Sequence, residues 1–145
     1  MQEFPHHYKV AADAKPEGTV VLTSDGLDDL ASAAPAEFGG PGDQWSPETL
    51  LSAAVADCFI LGFKAIARAS HFPWNSLQCH VEGVLERIDH VTRFTEFKVH
   101  ATLEIPADAD EERARRLLEK ADATCLVTNS MTSTVHLETV VSKAV

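Results

Sequence analysis

The sequence predicts an α+β protein organised around one long apolar helix. Three features predict it: an apolar stretch after residue 46, two runs of alternating polarity after residue 76, and an amphipathic helical stretch after residue 107. At 145 residues the chain has the length of one domain, so residues 1–145 are expected to form a single one.

Residues 8–23 hold two short β-rich pieces, "YKV" and "TVVLT". They are broken by "AKPEG", where Pro16 and Gly18 form a turn, so a hairpin is expected. The segment "ASAAPAEFGGPGDQW" carries Pro35, Gly39, Gly40, Pro41 and Gly42 and reads as an exposed loop. The next segment, "SPETLL", is a helix start. Ser46 can cap, Pro47 suits the first helical position because its missing N–H would be unpaired there, and Glu48 favours the positive helix end. The helix is expected to run to about Ser70. From Leu50 to Ile66 only Ser52, Asp57 and Lys64 interrupt apolar or small residues, so the helix has almost no polar face and must be covered on most sides. One small α+β domain gives too little cover, which predicts an obligate dimer.

In "LQCHVEGVLERI", Leu77, Cys79, Val81, Gly83 and Leu85 alternate with polar neighbours. In "FTEFKVHATLEI", Phe97, Val99, Ala101, Leu103 and Ile105 do the same. Both are strands with one wet face, and the link "DHVTR" is short enough for a hairpin. After Pro106, Asp108 is the expected cap of a surface helix with Ala114, Leu117, Leu118 and Ala121 on one stripe. "TCLVTNSM" then holds Cys125, and "STVHLETVVS" closes the chain as a strand.

Composition narrows the function. Hydrophobic residues make up 45 % of the chain, and no uninterrupted run approaches the roughly 18 apolar residues of a membrane span, so no membrane association is expected. The net charge is −10, and the basic residues between Arg87 and Lys120 are mixed with acids, which leaves no platform for nucleic acid. "MQEFPHHYKV" has neither a basic leader with an apolar core nor an Arg/Ser-rich character, and a cytoplasmic location is expected.

Cys58, Cys79 and Cys125 are an odd number without a CxxC, which argues against a secreted disulfide framework and a zinc knuckle. The seven histidines contain no HxxxH pair, and no metal is expected. Cys58 and Cys125 are either a redox couple or ordinary core thiols, free cysteine being among the most buried residue types. Cys79 points the same way as Leu77 and Val81 and reads as core, and Glu48 has an alternative reading as a helix-dipole residue.

The pattern P-E-x-L-x-x-A-x-x-x-C is carried here by Pro47, Glu48, Leu50, Ala53 or Ala54, and Cys58. A second cysteine leads into C-x-x-[ST], here Cys125 and Thr128. With the element order, these motifs resemble the OsmC/Ohr family of organic hydroperoxide reductases over nearly the whole chain. The resemblance implies antiparallel sheets packed around a long central helix in an intertwined homodimer without a cofactor. It further implies a peroxidase of oxidative-stress defence: Cys58 attacks an organic hydroperoxide, Cys125 resolves the sulfenic acid as a disulfide, Glu48 belongs to the polar network, and an external dithiol supplies electrons.

The family's arginine, usually carried before the long helix, has no counterpart, because the first arginine of the chain is Arg68. A thiol near pKa 8.5 that is raised further by apolar surroundings needs a cation or a helix end to ionise. Lys15, His6, His7 and Arg68 of a partner helix are the candidates. Glu48 and Cys58 are ten positions apart, about 15 Å of helical rise. Glu48 is therefore expected to serve the Cys58 site from a partner chain. Two other readings stay open: a non-catalytic OsmC-like dimer that binds a small hydrophobic molecule in the same cleft, and a thiol redox sensor.

Overall fold

A computed structural model describes residues 1–145, which fall into two compact units, Met1–Leu50 and Leu51–Val145. In the first unit, β1 (Ala11–Asp13), β2 (Val20–Thr23) and β3 (Leu30–Ser32) form an antiparallel sheet in the order β1-β2-β3. The hairpin lies where expected, with its first strand displaced to Ala11–Asp13. β3 is an addition, since "LAS" is too short to alternate visibly. The loop after it folds back tightly: the Gly40 N–H donates to the Pro35 carbonyl at 3.0 Å, and a Cβ at Gly40 would lie 1.7 Å from the Ala34 carbonyl oxygen. Part of the expected loop, Ala36–Phe38, is one 3₁₀ turn.

Helix α1 (Pro47–Ala69) starts and stops nearly as predicted. Ser46 accepts the Thr49 N–H at 3.1 Å on its Oγ, and Thr49 Oγ1 accepts the Ser46 N–H at 2.9 Å, a reciprocal cap in which threonine takes the usual acidic position.

In the second unit, β4 (Ser76–Ile88), β5 (Val91–Ile105) and β6 (Thr134–Lys143) form a sheet in the order β4-β5-β6. Asp89 and His90, at φ 50 and 67, make a two-residue turn that matches the twist of the β4–β5 hairpin. Val84 pairs with Glu96 and Leu85 with Phe94, so Thr95 is an extra residue that turns Phe94 onto the inner face, where it stacks on Phe97 at 5.1 Å.

The α+β class is as expected, but one strand pair corrects the antiparallel expectation: β5 and β6 run parallel. The physical reason is the crossover through α2 (Glu111–Ala123) and α3 (Leu126–Asn129), which returns the chain to the starting end of β5. The cap of α2 is also corrected, from Asp108 to Asp110. Asp110 directly precedes the helix and accepts the N–H groups of Glu112 and Arg113 at 3.0 and 3.2 Å. Arg113 in turn donates to the Ser70 carbonyl at 2.5 Å and lies 5.3 Å from the Phe72 ring centre, which ties α2 to the end of α1.

The core of this unit joins a stripe of α1, Val55, Phe59, Phe63 and Ala67, to the inner face of β5, from Phe97 to Ile105 at alternate positions. Ala114, Leu117, Leu118 and Ala121 of α2 complete it. Other apolar positions of α1 remain open, and Leu61 is 56 % exposed. By length and composition α1 is apolar enough to cross a membrane, with a mean hydropathy of 1.8. A core helix reaches the same value, and an average tolerates the isolated Asp57 and Lys64 that break a run.

Gly83 faces α1 at the tightest point of the sheet. A Cβ there would meet Ser52 Oγ at 2.8 Å, Phe97 Cε1 at 2.9 Å and Phe94 Cε1 at 3.0 Å. Gly83→Ala is therefore expected to lower stability by about 1–3 kcal/mol through overpacking, read as an earlier urea midpoint, whereas an unchanged midpoint would mean that α1 is not held this closely.

Candidate active site

Cys58 sits in the middle of α1 beside the core stripe rather than on it, and is only partly buried. Cys125 is the residue immediately before α3 and is 4 % exposed. The structure brings these two together: each thiol is close enough to act on the ionisation of the other, and both are free.

Four chain groups face the pair. The N–H groups of Leu126 and Val127 lie near Cys58, and those of Val127 and Thr128, with the Thr128 hydroxyl group, lie near Cys125. That hydroxyl donates to the Cys125 carbonyl at 3.3 Å, and the Asn129 N–H closes the turn onto the same carbonyl at 2.9 Å. A short helix beginning one residue after a cysteine aims its unpaired N–H groups at the sulfur, a known means of stabilising thiolate.

The consequence differs for the two thiols. Burial pushes Cys58 up, the Val127 and Leu126 N–H groups offset only part of that, and the neighbouring Cys125 raises it further. Burial pushes Cys125 up as well, but the Thr128 hydroxyl and N–H, the Cys58 thiol and the Val127 N–H outweigh it, and the net displacement is downward. Sequence reasoning noted Thr128 but missed these N–H donors, because C-x-x-[ST] reads as a turn until the backbone is seen to be helical.

Cys79 stands on the inner face of β4 with the other core residues, as expected, and is close enough to Cys125 to feel its charge. Burial first, and that charge second, push it up to about 11. This proximity had no sequence signal, because strand alternation gives a face and not a neighbour.

Glu48 lies in the first unit, in the first turn of α1. It lines an apolar groove of about 530 Å³ with Val20, Leu22, Pro35, Phe38 and Leu50. Lys15 is exposed in the turn between β1 and β2, and His6 is stacked on Phe4 at 4.5 Å. Arg68 is exposed in the last turn of α1. Among side-chain groups of the second unit, no His/Cys/Asp/Glu cluster has the arrangement of a metal site.

A family model described as OsmC-like protein matches residues 40–140, which include both thiols and Glu48. The chain belongs to the OsmC-like family. The uncharacterised protein YmaD of Bacillus subtilis is 24 % identical over 92 % of this chain and 91 % of its own. An OsmC-like protein of unknown function from Vibrio cholerae superposes with a TM-score of 0.86 at 16 % identity, over 94 % of this chain and 100 % of that one. An organic hydroperoxide resistance protein OsmC from Legionella pneumophila gives 0.75 at 26 % identity, over 97 % and 99 %. The organic hydroperoxide resistance protein OhrB of B. subtilis gives 0.67 at 20 %, over 94 % and 98 %. The OsmC/Ohr fold expected from the sequence is the fold observed.

The Cys79 environment makes a prediction with a definite sign. A thiol held near 11 in the folded OsmC-like chain and near 9.0 when free binds more protons folded than unfolded. Its contribution to stability is therefore complete below pH 9 and lost as pH rises toward 11. Cys79→Ala should be less stable than the parent at neutral pH, with the gap narrowing as pH rises from 9 to 11 in urea titrations; a gap of constant size would place Cys79 in an ordinary aqueous environment.

Proposed function

We propose that this protein is a thiol-dependent peroxidase that reduces organic hydroperoxides in oxidative-stress defence. The observation that carries the reading is the contact between the free thiols of Cys58 and Cys125 in a chain of the OsmC-like family. It is supported by relatives of the same fold that are named for organic hydroperoxide resistance. Cys58, the more accessible thiol, attacks the outer peroxide oxygen, releases the alcohol and becomes a sulfenic acid. Cys125 then attacks the Cys58 sulfur, forming the disulfide and releasing water. An external dithiol reduces the disulfide by exchange.

The working form is a homodimer in which both compact units act as a single OsmC-like domain and the open apolar face of α1 is covered by the partner. Glu48 serves the thiol pair of the other chain. A cytoplasmic setting, where dithiols are kept reduced, suits the chemistry.

A second reading is favoured by one feature, the apolar groove of about 530 Å³ in the first unit, which has the size of a small-ligand site. On that reading the protein is a non-catalytic dimer that holds a small hydrophobic molecule.

Turnover of tert-butyl hydroperoxide with dithiothreitol separates the two. The peroxidase reading predicts turnover well above that of a simple thiol, abolished in Cys58→Ser and reduced about tenfold in Glu48→Gln, a loss of about 1.4 kcal/mol in barrier stabilisation. Sedimentation should give about twice 15.7 kDa for all three proteins. Peroxide consumption no faster than that of a free thiol would reject the peroxidase, and a 15.7 kDa species would reject the dimer.

A further inference from the structure

The two cysteines of the candidate couple differ in access, and the difference is built by the chain around Cys125. Cys125 is 4 % exposed, whereas Cys58, beside the core stripe of α1, is only partly buried. The junction between α2 and α3 that carries Cys125 is also tied down. The Cys125 N–H donates to the Asp122 carbonyl at 3.3 Å, and the Cys125 carbonyl accepts the Asn129 N–H at 2.9 Å and the Thr128 hydroxyl at 3.3 Å. On either side, the Thr124 hydroxyl donates to the Lys120 carbonyl at 2.7 Å and the Asn129 side-chain amide to the Ala123 carbonyl at 3.2 Å. Turning Cys125 outward would break several of these bonds at once, so its burial is a fixed feature of the junction.

We propose that the Cys58–Cys125 disulfide is reopened at one sulfur only: the external dithiol attacks Cys58, and Cys125 is the leaving thiol. This rests on the peroxidase reading and deepens it, since that reading leaves open which sulfur the reductant meets.

The physical basis is the geometry of exchange. It is an in-line displacement, in which the attacking thiolate approaches the struck sulfur from the side opposite the departing one, and its rate depends on access. At Cys58 the peroxide of the first half-reaction already needs an open approach, and the dithiol uses the same one. At Cys125 the approach is closed by the chain's own packing, and a partner chain laid over α1 adds cover without removing any. Cys79 is the other thiol near Cys125, and burial, the larger cause of its raised ionisation, persists when Cys125 is in a disulfide. A protonated thiol is not the nucleophile in exchange, so the disulfide does not pass to Cys79.

The step balances. A dithiol thiolate forms a bond to the Cys58 sulfur, the Cys58–Cys125 bond breaks, and Cys125 leaves with the electron pair and takes up a proton. The second thiol of the reductant, deprotonated, attacks its own sulfur in the mixed disulfide and closes a disulfide within the reductant. Cys58 leaves in its turn and is protonated. The dithiol loses two electrons and two protons, and the two cysteines gain them. A monothiol has no second thiol, and Cys125, freed beside Cys58, returns to the Cys58 sulfur and expels it.

The test uses the full-length parent protein and forms the disulfide with diamide, which oxidises neighbouring thiols without a peroxide. The folded disulfide form is mixed with excess 2-mercaptoethanol, quenched with acid at successive times, and its cysteine peptides are mapped by mass spectrometry. At the earliest times the mixed disulfide should sit on Cys58 at no less than about ten times its level on Cys125. In concentrated urea, where the packing is gone, the preference should vanish. Equal adducts in the folded protein, an adduct mainly on Cys125, or a Cys58 preference that survives in urea would overturn the proposal, as would a failure of diamide to join the two cysteines. The turnover assay with tert-butyl hydroperoxide keeps the two claims apart. A protein without turnover whose disulfide still takes its adduct on Cys58 would fail the peroxidase reading alone, and an active one with the adduct on Cys125 would fail this proposal alone.

Discussion

The structure depends on a helix that is apolar on nearly every side and whose own sheet covers only one stripe. Val55, Phe59, Phe63 and Ala67 recur at every fourth position and meet the alternate residues of β5 from Phe97 to Ile105. Buried apolar area of this kind is the main favourable contribution to folding, so it fixes the rotation of α1 about its axis. Once that rotation is fixed, Cys58, one position before Phe59, cannot point into the core and must face sideways. The same rotation leaves Leu61 in the open. An apolar face in that state is the physical reason for proposing a partner chain.

The placement of the second thiol follows from the crossover between β5 and β6. A parallel return needs a long connection. Here α2 serves as its rigid part, capped by Asp110 and pinned by Arg113 to the Ser70 carbonyl. The chain leaves α2 at Thr124 and begins α3 after a single intervening residue, Cys125. That brevity brings unpaired N–H groups onto the thiols. A site assembled this way uses backbone dipoles and a hydroxyl, and its polarity does not depend on a long, mobile cation. Arginine would add a planar fork able to hold a carboxylate and a peroxide oxygen together, whereas the N–H groups at α3 act on the sulfurs themselves.

Much of the fold was legible because the signals were periodic or chemical. The Ser-Pro-Glu start of α1, the alternation of β4 and β5, the amphipathic stripe of α2 and the closing strand all lie where the residues place them. β3 was not legible, because three residues cannot show a period. Asp108 and Asp110 are both good caps, and only the backbone decides between them. The bulge at Thr95 leaves no mark in composition, and the direction of β6 relative to β5 is a property of the connection rather than of either strand. At the site, Cys58, Cys125 and Thr128 were visible as a motif. The nearness of Cys79 to Cys125 and the backbone N–H groups beside the thiols are three-dimensional facts.

The account stands on Cys58 and Cys125 being a single reactive unit, and a thiol count tests this most directly. Protein with its three cysteines reduced is treated with one equivalent of an alkyl hydroperoxide per chain, quenched, denatured and titrated for free thiol, and the cysteine peptides are then mapped by mass spectrometry. The account predicts that one thiol remains, that it is Cys79, and that Cys58 and Cys125 are joined to each other. Three remaining thiols, or a disulfide that contains Cys79, would contradict it.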